Sequence, residues 1–98
     1  MNRRLHHAAA LAFVGWYLMV PPYSQGDFNE HAHLSDWKII NSFDTAKECR
    51  SHQLFVSERT QSDVPQHGDP PTTDKQRYAV SIALSACVAS DDPRLKEK

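Results

Sequence analysis

Glycine is scarce in this chain, three in 98 residues. A backbone cradle for phosphate needs closely spaced glycines at a strand-to-helix turn, so the common nucleotide-binding loops are excluded. Neither sign of charge dominates: 11 Lys and Arg stand against 12 Asp and Glu, with a pI near 6.6. Such a balance makes no field strong enough to hold nucleic acid or an anionic membrane surface. There are two cysteines and no Cys-x-x-Cys pair, which argues against thiol-disulfide catalysis. No Ser-His-Asp order and no metalloprotease motif is present. Length allows one small domain and excludes a multidomain enzyme.

What the chain does have is an apolar run near its start. Asn2, Arg3 and Arg4 precede residues 5–20, whose only strongly polar members are His6 and His7, and Pro21 and Pro22 end the run. Positive then apolar is the order of an export signal, so residues 1–22 are expected to be a signal peptide or a signal anchor. Ala10 and Ala12 offer a small-x-small cleavage site, although a cut after Ala12 leaves a short apolar region. A cut after Gly15 has the bulky Phe13 where a small residue is preferred. As an uncut anchor, 16 helical residues would span about 24 Å, short of the roughly 30 Å hydrocarbon layer, with Trp16 and Tyr17 at the outer interface. Loss of these 22 residues removes Arg3 and Arg4 and leaves a mildly acidic remainder.

Cys49 and Cys87 are an even count in a short chain with an export segment, so one structural disulfide is the leading interpretation. Closing a loop of this length is worth about 4 kcal/mol on loop-entropy grounds. Residues 23–36 carry no apolar period and are expected to be a linker. The stretch WKIINSF places Trp37, Ile39, Asn41 and Phe43 on one side of a strand, with Trp37 and Phe43 in the core. Asp44 or Thr45 then caps a helix over residues 46–59, and Thr45 with Glu48 has the capping-box spacing. Ala46, Cys49, Gln53 and Val56 fall near one stripe of that helix, with Leu54 and Phe55 beside it.

Residues 60–75 hold three prolines and a glycine without a hydrophobic repeat, which predicts a flexible loop. From Tyr78 to Val88 large and small residues alternate with a period of two, which predicts a strand; a helix rivals it over residues 78–85. Asp92 before Pro93 reads as a cap with proline in the first turn, followed by a charged tail.

Three blocks of the sequence, GWYLMVPP (residues 15–22), a Trp37-led strand running into SFDTAKEC (residues 42–49) and CVASDDPRLK (residues 87–96), resemble a group of short bacterial exported proteins. Those proteins carry a signal-like segment ending in WYLM-x-PP, a strand leading into SFDTA-x-x-C, and a closing C-[VI]-A-[ST]-DDPRL. The resemblance covers about a third of the chain and implies no activity. It implies a bacterial source, supports pairing of Cys49 with Cys87, and hints that WYLM belongs to the mature domain of some members as a strand.

Two constellations could carry chemistry. His31 and His33, with Glu30 beside them, would project to one side of an extended segment as two metal ligands must, but no third ligand can be assigned. Asp91, Asp92 and Arg94 could meet a partner, but adjacent acids in a charged tail lack the burial that separates the pKa values of a catalytic pair. The expected protein is therefore α+β: a two- or three-stranded sheet with one helix packed on it and one helix-to-strand disulfide, over residues 37–98. The expected role is a structural or interaction module of the bacterial envelope, periplasmic or secreted, or else anchored in the inner membrane with the domain outside. Neither an enzyme nor a cofactor protein is expected. Its partner would be an envelope protein, without nucleic acid and with membrane contact only through the N-terminal segment. The alternative is a small metal-binding protein using His31 and His33.

Overall fold

The computed structural model describes residues 14–97. The chain runs through strand β1 (Trp16–Val20), a short hairpin of β2 (Tyr23–Ser24) and β3 (Asp27–Phe28), strand β4 (Lys38–Phe43), helix α1 (Ala46–Thr60), helix α2 (Asp74–Ala83) and strand β5 (Ala86–Ala89). The fold is α+β, with a three-stranded antiparallel sheet in the order β4-β1-β5. In the centre, Leu18 pairs with Asn41 on one side and Cys87 on the other.

The boundary expected at residue 22 is thus corrected, since the end of the apolar run is the middle of the sheet. Leu18, Met19 and Val20 are buried, at 0, 2 and 6% exposure. An apolar run has no alternation to distinguish the end of a leader from a strand covered on both faces, so periodicity could not separate the two. With β1 restored, the core is Leu18, Met19, Val20, Cys49, Ala79, Ile82 and Val88. Trp37 and Phe43, expected at its heart, are only half-buried, and the Trp37 indole N–H donates to the Ala32 carbonyl at 3.1 Å.

β4 departs from simple alternation. Met19 pairs with Ile39 while Leu18 pairs with Asn41, so Ile40 is an extra residue bulged out of the ladder. The bulge offsets the faces by one, leaving Ile40 and Phe43 half-buried and Ile39 48% exposed.

Of the two candidate caps before α1, the structure selects Thr45. Its hydroxyl accepts from the Glu48 backbone N–H at 3.1 Å and donates to the Glu48 carboxylate at 3.0 Å. Thr45→Ala leaves that N–H without its partner and is expected to lower stability by about 1 kcal/mol, read as a shift in the urea midpoint. α1 lies against all three strands of the sheet and against α2.

The alternation over residues 78–85 is not a strand, and the helical rival holds. Thr73 caps α2 by accepting from the Gln76 N–H at 3.1 Å, and Ala79 and Ile82, three apart, are its buried apolar residues. Alternating Ala with larger residues leaves a usable helical stripe, and the cap decides the outcome. The second half of the segment is a strand, β5, as expected. The Gln53 side-chain amide donates to the Ser85 carbonyl at 2.9 Å and to its hydroxyl at 3.0 Å, tying α1 to the junction between α2 and β5. Beside this tie, Cys49 of α1 is disulfide-bonded to Cys87 of β5, with Cα atoms 6.1 Å apart and a separation of 38 positions in sequence. A bond of this kind calls for a non-reducing surrounding.

Two stretches expected to be irregular contain local order. The stretch at 23–36 holds the β2–β3 hairpin, turned by Gln25 and Gly26, both at positive φ as a two-residue hairpin turn requires. Between α1 and α2, residues 61–73 include a single helical turn at Gln61–Asp63 and a tight turn at Gln66–Gly68 with His67 and Gly68 at positive φ. No helix among the described residues is long and apolar enough to cross a membrane.

Candidate functional site

The β2–β3 hairpin places an aromatic pair in front of α2. Tyr23 and Phe28 face each other across the hairpin with ring centroids 4.7 Å apart, nearly edge to face. Tyr78, on the outward side of α2, lines the same groove with Pro22, Lys38 and Arg77. The groove encloses about 270 Å³, and Tyr23 and Tyr78 remain 40 and 50% exposed. Large exposed aromatics gathered around one depression are the kind of surface that proteins keep for contact, because solvation alone disfavours them.

Arg77 is fixed at the rim. Asp74, one turn earlier on α2, forms an ion pair with its guanidinium, whose carbon lies 6.0 Å from the Tyr23 ring. The hydrogen bond that the Arg77 guanidinium donates to the Asp74 carboxylate holds the Arg77 pKa above its ordinary value. The groove therefore combines flat apolar faces with the cations of Arg77 and Lys38. It is suited to holding a ring or an extended apolar segment, and no carboxylate or histidine lines it to move a proton.

His31 and His33 lie elsewhere, in a cleft of about 380 Å³ lined also by Glu30, Trp37, Arg94 and Glu97. Both are exposed, and the His31 backbone N–H donates to the Asn29 side chain at 3.0 Å. Among the described residues no group of three or more His, Cys, Asp or Glu comes together as metal ligands would. His52 packs its ring 5.2 Å from that of Phe43, and His67 sits at positive φ in a turn. His6 and His7 lie outside the described residues.

The Asp92 and Arg94 pair is local. The Asp92 carboxylate accepts from the Arg94 backbone N–H at 2.9 Å and is gripped by the guanidinium through Nε at 3.0 Å and Nη2 at 2.7 Å. Arg94 pulls the Asp92 pKa from 3.8 down to about 2, first through its side chain and then through its backbone N–H. A carboxyl whose folded pKa is depressed adds stability above its unfolded value and loses it as pH falls through the folded one. The window is thus from about pH 4 down to about pH 2. In an NMR titration the Asp92 carboxyl carbon is expected to move near pH 2, and Arg94→Ala to return it toward 3.8.

Sequence reading missed the aromatic groove altogether. Its one advance signal was the pair Gln25-Gly26, which suits a two-residue hairpin turn, between the aromatic residues Tyr23 and Phe28. Tyr78 carried no signal of exposure, because a period of two assigned it to the large-residue side of a strand. No protein-family model, no curated protein and no solved structure matches the chain.

Proposed function

We propose that the protein is an exported bacterial envelope component that acts as an interaction module, gripping a protein partner through the groove of Tyr23, Phe28 and Tyr78. The observation that carries this reading is the exposure of Tyr23 and Tyr78 around one apolar depression, on a domain stapled by a disulfide. Export is supported by the order of Arg3, Arg4 and the apolar run, by the disulfide, and by the resemblance to short bacterial exported proteins. Anchoring is the weaker of the two locations. With residues 16–20 committed to the sheet, a helix over residues 5–15 would rise about 16 Å, half of the roughly 30 Å layer. A periplasmic or secreted domain fits better. The groove's flat apolar faces beside the cations of Arg77 and Lys38 support a contact role.

A photo-crosslinking residue placed at Tyr78 in cells tests the reading, with the same residue at the exposed Leu54 of α1 as control. A discrete envelope adduct from position 78, lost on Tyr23→Ala and absent from position 54, is expected. Equal adducts at both positions, or none at 78, would remove the groove as the binding surface.

A further inference from the structure

Resting on the reading of the β2–β3 hairpin as a contact surface, we infer that a second cavity, adjoining the aromatic groove at Phe28, receives a lysine or arginine side chain flanked by apolar residues of the same protein partner. The cavity lies between the hairpin and the segment that joins α1 to α2, and it encloses about 530 Å³. Phe28 lines both it and the groove of Tyr23 and Tyr78, so a chain lying in one is within reach of the other. Its apolar area comes from Phe28, Val64, Val80 and Leu84, all half-buried. Asp27, Glu30 and Asp69 line it as well and are exposed, while no lysine, arginine or histidine among the described residues does. The two ion pairs formed among the described residues, Asp74 with Arg77 and Asp92 with Arg94, do not involve these acids.

The walls are built before any ligand arrives. The Asp27 carboxylate accepts from the Phe28 backbone N–H at 2.9 Å, which holds it beside that wall. Across the cavity, Pro65, Pro70 and Pro71 lock their backbone φ, and the Val64 and Asp69 N–H groups donate to the Gln61 and Gln66 carbonyls, each at 3.2 Å. The stretch expected to be a flexible loop is thus a wall with two hydrogen-bonded turns. Preformed walls lower the entropy cost of binding. Acids of one sign beside low-dielectric walls focus their field into a cleft and draw in a cation. Lysine and arginine lay a long aliphatic stem along apolar surface while the charged head stays at a wet rim, which is the arrangement this cavity offers. An anionic or purely apolar segment would cover the carboxylates without a partner, at a cost in desolvation. The groove has the opposite sign, with Arg77 and Lys38. A partner segment crossing Phe28 therefore carries its basic residue on the cavity side.

The test titrates the oxidised, isotope-labelled full chain with acetyl-Leu-Lys-Leu-amide and follows backbone amide shifts by NMR. Saturable shifts at Phe28, Val64, Asp69 and Leu84 are expected, with Leu54 unmoved. Acetyl-Leu-Glu-Leu-amide lacks the cation, while acetyl-Gly-Lys-Gly-amide and hexylamine lack the apolar flanks, and each is expected to bind about tenfold more weakly. The combined substitution Asp27→Asn, Glu30→Gln and Asp69→Asn keeps side-chain shape and the acceptor for the Phe28 N–H. It is expected to weaken binding of the lysine peptide about tenfold and to remove most of its salt dependence. Equal binding of the glutamate peptide, or undiminished binding by the substituted protein, overturns the inference. So does hexylamine binding as well as the lysine peptide, which would make the cavity a site for small amines, and so does the absence of shifts at the cavity. These results leave the Tyr78 adduct standing, so failure of the inference is told apart from failure of the groove. Absence of that adduct overturns the groove reading and the shared partner with it.

Discussion

Reduction of the Cys49–Cys87 bond is expected to unfold the domain at or near room temperature. The bond closes a long loop, since its two cysteines are 38 residues apart, and such a loop is worth about 4 kcal/mol. A core of this size supplies on the order of 3–5 kcal/mol, so the two contributions are comparable and neither alone leaves a margin. Each kcal/mol moves the melting midpoint of a domain this small by roughly 4–8 °C, which makes a fall of about 16 °C the lower end of the expectation. Cys49 is fully buried where α1 meets the sheet, and the paired substitution Cys49→Ala with Cys87→Ala should have the same effect as reductant. Circular dichroism melts with and without reductant, with free thiols counted by mass spectrometry, read the result. An unchanged melt after full reduction would show that packing alone holds the helix to the strand.

Leu18→Ala is expected to be the most damaging single truncation outside the disulfide. Leu18 is 0% exposed at the middle of the central strand, and removal of a buried leucine side chain costs about 2–5 kcal/mol. Against the few kcal/mol available, that leaves the variant largely unfolded. Leu54→Ala is the matched control, because Leu54 is 61% exposed on α1 and surface changes stay within about 0.5 kcal/mol. Urea denaturation of the three proteins gives the comparison. If residues 1–22 acted only as a leader, Leu18→Ala and Leu54→Ala would melt alike.

The parts whose signals are local came through: the Thr45 cap with α1 behind it, the strand character of residues 87–89, the Asp92 and Pro93 turn, and the α+β class with its helix-to-strand disulfide. The parts that failed depend on pairing partners far away in the chain. Residues 16–20 have the composition of a leader's end and of a fully covered strand alike, and only β4 on one side and β5 on the other distinguish them. The bulge at Ile40 answers to register with Leu18 and Met19, which no local pattern records. The period of two that predicts a strand at Tyr78 is one its helix does not obey, and it conceals the exposed aromatic that completes the groove.

The strand Trp16–Val20 belongs to the folded domain as the centre of its sheet, with Gly15 bonded to Ser90 just before it. The most direct measurement is a pair of thermal melts under oxidising conditions, one on protein beginning at Phe13 and one on protein beginning at Tyr23. The chain from Phe13 is expected to melt cooperatively with its disulfide formed, and the chain from Tyr23 to show no cooperative transition, having lost the partner of both edge strands. A chain from Tyr23 that folds and melts at the same temperature would contradict the account, returning residues 16–20 to the leader and leaving the sheet without its centre.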